Sequence, residues 1–265
     1  MLTGREPDIS TNIHSTAIVS SDAQLGENIK IGPYSIINND VELGDNTFIG
    51  NHVTIAEGTS VGNNCRIFHS SSIGEIPQDL KFGGEKTQTI IGENTTIREY
   101  VTINKGTVAH GKTEIGSNVL IMAYVHIGHD SIVGDNVIFA NQSTLGGHVE
   151  VDDWVSLGGG VLVHQFCKIG AHAFVGAGYK VVQDVPPYIL VVGTPLRFAG
   201  INKIGLERRG FCSETRQQIK KVYRTYFRSG VNRSEAIKLI EKNNPETEES
   251  NKILSFIKNS NRGII

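Results

Sequence analysis

The chain has 265 residues, with 25 Lys and Arg, 27 Asp and Glu, 30 Gly and only 7 Pro, which suits one large domain with an appendage. A net charge of −2 excludes the broad cationic surface that a nucleic-acid partner asks for. Apolar runs such as Val119 to Val125 stop well short of the roughly 18 residues a bilayer demands, so no membrane span is expected.

At the N-terminus, MLTGREPDIS carries charge and a proline where a signal peptide needs an apolar core. Cys65, Cys167 and Cys212 are odd in number and far apart, which fits reduced thiols in a cytoplasmic protein and no zinc held by cysteine. From Ile13 onward a repeat takes over. Steps of six meet Val19, Leu25, Ile31, Ile37, Leu43, Ile49, Ile55, Val61, Ile67 and Ile73; the register resumes at Ile91, Ile97 and Ile103, and again from Ile115 to Val181. Glycine often follows, as at Gly26, Gly32, Gly62, Gly146 and Gly158. Neither a helix nor an alternating strand has period six, whereas a short strand, a sharp turn and another short strand do. The aliphatic residue fills the interior, and the glycine is read as supplying a backbone conformation closed to residues with a Cβ.

Three hexads close a triangular coil of 18 residues, so residues 18 apart should stack. Residues 1–190 are thus expected to be mainly β, a parallel β-helix of roughly nine coils. The polar interruptions at 74–90 and 104–114 read as loops thrown out of the coil, where function concentrates. Pro186 and Pro187 are expected to end the repeat. Residues 191–265 form a small C-terminal α-helical domain, with helices predicted at 213–228, 234–242 and 246–259, Ser213 as an N-cap and Gly230 as a stop. Residues 202–242 hold 11 Lys and Arg against 4 Glu, leaving −9 for the remainder. That excess is either a solvated helix face or a docking patch for an acidic partner.

Six of the nine histidines lie between His110 and His172. Adding 18 to His129 gives Gly147, and adding 36 gives Gln165; Asp130 leads to His148, and Gly128 to Gly146 and His164. His129, Asp130, His148, His164 and Gln165 are therefore expected at one corner around the bare backbone of Gly147, with His126 on the same coil as His129. A lone surface histidine is ordinarily just solvated. Several at a glycine-rich corner point to chemistry, because imidazole is the commonest general base and a bare peptide N–H can stabilise an oxyanion. The same arithmetic stacks Gly158, Gly159 and Gly160 beneath Gly176, Ala177 and Gly178. This strip is either turn chemistry alone or a groove for a flexible apolar chain.

The coil together with VHIGHDSIVG (125–134), LGGHVEV (145–151), VHQFCKIGAH (163–172), QDVPPY (183–188) and GLERRGF (205–211) resembles the UDP-N-acetylglucosamine 3-O-acyltransferase family of lipid A biosynthesis over nearly the whole chain. IGEIPQDLK (73–81), HQF and the RRGF-led tail separate it from the wider hexapeptide superfamily. The resemblance implies a left-handed coil, against the usual crossover hand, and a homotrimer with active sites between subunits. It implies no cofactor and no metal, with UDP-N-acetylglucosamine and an (R)-3-hydroxyacyl acyl carrier protein as substrates.

Residue by residue, the resemblance makes His129 the general base, Asp130 its support and the Gly147 N–H the oxyanion donor. His126, His148, His164 and Gln165 would hold substrates, and Gln78, Asp79 and Lys81 would contact the sugar. Asn202, Arg208 and Arg209 would grip the nucleotide, where guanidinium suits phosphate, and Gly176 and Ala177 would form the acyl-chain ruler. Arg208 and Arg209 can also be read as surface charges, and Lys81 as a loop lysine. Ile204 stands where the family commonly has an acidic residue, and Asn104-Lys105 where it has a His-Arg pair.

Other readings use the same scaffold. A trimeric carbonic anhydrase would bring a histidine pair five residues apart, and none occurs here. The related N-acyltransferase and the nucleotidyltransferases place a globular domain ahead of a coil that here begins by Ile13. A scaffold without activity would not require the histidine corner, the loop with Asp79 and the basic tail together.

Overall fold

The computed structural model describes residues 13–243 and 247–265; the N-terminal stretch read above for an export signal, and Glu246, lie outside them. The chain divides into two compact units, one ending at Asp130 and the other running from Ser131 to Ile265. Among the described residues no helix is long and apolar enough to cross a membrane.

In the first unit, two-residue strands stack in parallel at the expected interval. Ile18–Val19, Ile36–Ile37 and Thr54–Ile55 build one face, Gln24–Leu25, Glu42–Leu43 and Thr59–Val61 a second, and Lys30–Ile31, Phe48–Ile49 and Arg66–Ile67 a third. The residue at each step of six points inward: Ile31, Ile37, Ile49, Ile55, Ile67, Ile73, Ile97 and Ile103 are buried. Each such side chain contributes about 1.5–3 kcal/mol on leaving water.

Gly74, with φ 80°, has the left-handed backbone expected of the repeat glycines, but others serve a different purpose. Gly62 does not adopt a left-handed φ. A Cβ there would fall 2.8 Å from the nitrogen of Glu93 and 3.0 Å from the carbonyl carbon of Gly92, so it is the approach of the next coil that demands glycine. Left-handed φ recurs two residues after the glycine position, at Asn28, Asp40, Asn46, Asn64, Asn94, Asn118 and Asp130. Asn and Asp tolerate it because their short polar side chains bond locally. Where the corner residue is aromatic, rings stack between coils, Tyr34 on His52 at 5.1 Å and Tyr100 on Tyr124 at 5.0 Å.

Ser72 pairs with Thr102, 30 residues on, and Thr102 with His126, 24 on, so the first loop adds 12 residues to its coil and the second adds six. The second loop is built into the coil at its base, while its tip at 108–110 is exposed. Asn104 is buried and donates from Nδ2 to the carbonyl of Ile76 at 2.9 Å, while the Thr87 hydroxyl donates to the carbonyl of Gly106 at 2.6 Å.

In the second unit, Thr144–Leu145, Leu162–Val163 and Lys180–Val181 form one face. Ile132–Val133, Glu150–Val151 and Lys168–Ile169 form another, and Ile138–Phe139, Ser156–Leu157 and Phe174–Val175 the third. Pro186 and Pro187 do not stop the pairing: Ile189–Val192 adds a further parallel strand and then folds back antiparallel on Arg197–Ile201. Four helices follow, α1 (Lys203–Arg208), α2 (Ser213–Arg228), α3 (Arg233–Asn243) and α4 (Glu248–Lys258). The short α1 has no counterpart in the sequence reading. Helix α2 buries Ile219, Val222, Tyr223 and Tyr226, as its spacing predicts, but its N-cap is Cys212, one residue before Ser213. The Tyr223 hydroxyl donates to the carbonyl of Pro187 at 2.5 Å, which ties α2 to the end of the coil.

Candidate active site

In the first unit, the strand His126–Ile127 and the turn after it carry two histidines and an aspartate. Asp130 occupies the left-handed corner, φ 58°, and its main-chain N–H donates to the Thr113 hydroxyl at 2.8 Å. Its side chain is fully buried, whereas that of His129 keeps 15% exposure. Oδ1 accepts the N–H groups of Thr107 (2.8 Å) and His110 (3.2 Å), and Oδ2 accepts the Thr107 hydroxyl (2.7 Å) and His129 Nδ1 (2.8 Å).

A carboxylate that takes only donors leaves one role for His129 Nδ1, to carry the proton, and the basic lone pair then sits on Nε2. This is the arrangement in which an imidazole removes a proton while a buried carboxylate fixes its tautomer and supports the cation formed. His126 Nδ1 lies 2.8 Å from the Thr102 hydroxyl. Burial first, and then the charge of His129, hold His126 below the usual imidazole range.

The 76–87 loop carries the other first-unit residues named from sequence. The Asp79 carboxylate accepts the Lys81 N–H at 3.0 Å and its carbonyl the Phe82 N–H at 3.0 Å, which makes a tight knuckle. Gln78 and Lys81 project from it, exposed.

In the second unit the column rule holds between residues 146–148 and 164–166. The Phe166 N–H donates to the Gly147 carbonyl at 3.1 Å, and a Cβ on Gly146 would fall 2.8 Å from the nitrogen of Gln165. His148 stacks on Phe166 at 4.5 Å, and His164 Nδ1 donates to the carbonyl of Gln165 at 3.1 Å. The glycine strip is also present. A Cβ on Gly158 would fall 2.5 Å from the nitrogen of Ala177, and one on Gly176 would press on the Tyr179 ring (2.9 Å) and Val192 (3.1 Å).

Asn202 is largely consumed by structure. It caps α1 by accepting from Gly205 N at 3.2 Å and donates to the carbonyl of His172 at 2.9 Å. Arg208 is exposed, while Arg209 lies over the Trp154 ring at 5.1 Å. His172 sits between Trp154 and Tyr188 with Phe211 at its edge. Burial, then the charges of Arg209 and Lys252, push it down to about 4, so it packs as a neutral ring.

Sequence reasoning missed Thr107, His110 and Thr113. The 18-residue rule links Thr107 to Val125, and only the six-residue insertion brings it to Asp130. A threonine in a glycine-flanked polar loop was the one available signal.

The coil defines a hexapeptide-repeat transferase. A bacterial hexapeptide transferase model matches residues 22–57 and 112–147, and the model for domain 2 of UDP N-acetylglucosamine O-acyltransferase matches residues 184–265. The chain is 44% identical to the acyl-[acyl-carrier-protein]–UDP-N-acetylglucosamine O-acyltransferase of Thiobacillus denitrificans, covering 96% of this chain and 98% of that protein. It is 46% identical to the enzyme of the same name from Aliarcobacter butzleri, covering 96% and 97%. The crystal structure of the UDP-N-acetylglucosamine acyltransferase from Bacteroides fragilis superposes with a TM-score of 0.94 at 41% identity, covering 95% of this chain and 99% of that one. The chain belongs to the acyl-[acyl-carrier-protein]–UDP-N-acetylglucosamine O-acyltransferase family, and its fold is the left-handed parallel β-helix with a helical C-terminal region.

Proposed function

We propose that this protein transfers an (R)-3-hydroxyacyl chain from acyl carrier protein to the 3-hydroxyl of UDP-N-acetylglucosamine, the first step of lipid A biosynthesis, with His129 as general base. The observation that carries the reading is the His129–Asp130 pair, with a buried, fully bonded carboxylate behind a ring that keeps 15% exposure. His129 Nε2 takes the proton of the sugar hydroxyl as its oxygen attacks the thioester carbonyl carbon. The Gly147 N–H stabilises the tetrahedral oxyanion; collapse breaks the C–S bond, and the leaving thiolate receives the proton from the imidazolium. His126, His148, His164 and Gln165 hold the substrates, Gln78, Asp79 and Lys81 the sugar, and Arg208 and Arg209 the nucleotide, with Asn202 serving that part of the site by capping the helix that ends at Arg208. With this go a homotrimer, a cytoplasmic location, and a functional division into the 1–190 coil and the 191–265 tail. Incubation with UDP-N-acetylglucosamine and a panel of hydroxyacyl carrier proteins tests the reading, and no acylated nucleotide with any donor would overturn it.

The donor protein is acidic, and the tail offers it a cleft of about 360 Å³ in which Lys203, Lys220, Arg224 and Arg228 surround Phe198 and Ile201. Reversing charge at Lys220 and Arg224 is expected to raise the donor KM several-fold at low salt and leave the nucleotide KM unchanged, since rim charges act on encounter and are screened. An unchanged donor KM at low ionic strength would leave them a solvated face.

The strip at Gly176 and Ala177 is proposed as the acyl ruler. A Cβ on Gly176 would meet Tyr179 and Val192, and one on Gly158 the next coil, so close packing accounts for those two glycines; open space lies at Gly178, where a Cβ would meet nothing within 4 Å. Ala177 adds only a methyl group, so long hydroxyacyl donors are expected to be preferred. Ala177→Met should exclude their distal carbons at about 0.8 kcal/mol for each methylene kept out. The readout is relative kcat/KM for medium and long donors, and equal discrimination by both proteins would place the chain elsewhere.

A further inference from the structure

We propose that Thr107 is the positioning residue of the His129–Asp130 dyad, and that the 104–114 insertion exists to deliver it. The inference rests on the reading of His129 as base. Thr107 touches both carboxylate oxygens, its N–H on Oδ1 at 2.8 Å and its hydroxyl on Oδ2 at 2.7 Å. These two contacts, one on each oxygen, fix the plane of the carboxylate together with the His110 N–H on Oδ1; without the hydroxyl, His129 itself is the one remaining partner of Oδ2 among these bonds. That plane sets the direction from which Oδ2 receives His129 Nδ1, and so the direction in which Nε2 points.

The hydroxyl is itself oriented. A carboxylate can only accept, so the Thr107 O–H must donate to Oδ2, and its lone pair receives the Ala109 N–H at 3.2 Å. The branched Cβ restricts χ1, and the side chain is buried at 7% exposure. Its backbone is fastened on both sides. The Gly111 N–H closes a turn on the Thr107 carbonyl at 2.7 Å, and the Gly106 N–H bonds the carbonyl of Gln88 at 3.2 Å. The insertion therefore holds both oxygens of the carboxylate on which His129 rests, Oδ1 through the Thr107 N–H and Oδ2 through the Thr107 hydroxyl.

Thr107→Val removes the hydroxyl at nearly constant volume and keeps the main-chain bond. The expected result is a 10- to 100-fold loss of kcat, with KM for both substrates within about twofold, because a misdirected base damages the reaction rather than binding. Thr107→Ser, which keeps the donor, should restore kcat to within about threefold. In an Asp130→Ala background, Thr107→Val should cost nothing further, since a residue acting through Asp130 has nothing left to position.

Imidazole ¹⁵N NMR of the unliganded protein should report the Nδ1–H tautomer of His129 in wild type and Thr107→Ser, and mixed tautomers in Thr107→Val. If Thr107→Val does not fold, Thr107→Ala takes its place in each measurement. Wild-type kcat in Thr107→Val, or an equal loss with and without Asp130, overturns the inference. His129→Ala run in parallel separates the two readings. If it abolishes turnover while Thr107→Val does not, only the positioning role falls; if it keeps turnover, the base assignment falls and the positioning role with it.

Discussion

His129→Ala should leave a folded protein with most of its turnover gone. Losing a positioned general base costs about 10²- to 10⁴-fold, or roughly 3 to 5 kcal/mol of barrier. Substrate binding should survive, because the loss falls on the transition state. The fold should survive too, at a somewhat larger cost than a base lying wholly on the coil surface would incur. His129 is mostly buried and bonded to Asp130, but Oδ2 retains the Thr107 hydroxyl when the ring is removed. The loss should be about that of one charge-assisted hydrogen bond, roughly 1.5–3 kcal/mol. Thermal melting and steady-state kinetics on the same preparation check both halves; near-normal kcat would mean that another group takes the proton.

Asp130→Asn is expected to be as damaging by a different route. Two main-chain N–H groups converge on Oδ1, so the amide must turn its oxygen there and its NH₂ toward the Thr107 hydroxyl and His129 Nδ1. A donor facing Nδ1 makes that nitrogen an acceptor and moves the ring proton to Nε2, the atom that has to receive the substrate proton. A loss of about 10³- to 10⁴-fold in kcat follows, the size known for a triad aspartate changed to asparagine in serine proteases. The double variant with His129→Ala should be little worse than either single one, since the two residues act as a unit. Retention of more than about a tenth of kcat by Asp130→Asn would show that Asp130 does not set the tautomer.

The coil was legible because its period is dictated by the fold itself: an inward aliphatic residue every six positions has no other economical explanation, and Ile31, Ile49 and Ile67 are buried as that pattern requires. Adding 18 also placed His164 and Gln165 beside Gly146 and Gly147, since uninterrupted hexads keep register. The arithmetic failed wherever the chain left register. Thr107 reaches Asp130 across 23 residues because the inserted hexad folds into a turn instead of a strand pair. A glycine in the repeat reads as backbone freedom, which holds at Gly74, yet Gly62 is needed for lack of a Cβ, a distinction that depends on the distance to the next coil. Asn202, implied by resemblance to face the nucleotide, spends its amide on capping α1 and on His172, which only the three-dimensional neighbours disclose.

Where the acyl group lands is read directly by two-dimensional NMR of the isolated product. After reaction of UDP-N-acetylglucosamine with a hydroxyacyl carrier protein, one new ester is expected, with the sugar H3 signal moved downfield and correlated to the acyl carbonyl. His129→Ala is expected to yield almost none of that species in the same time. An ester at another sugar hydroxyl, or the same product formed at wild-type rate by His129→Ala, would contradict the proposed function.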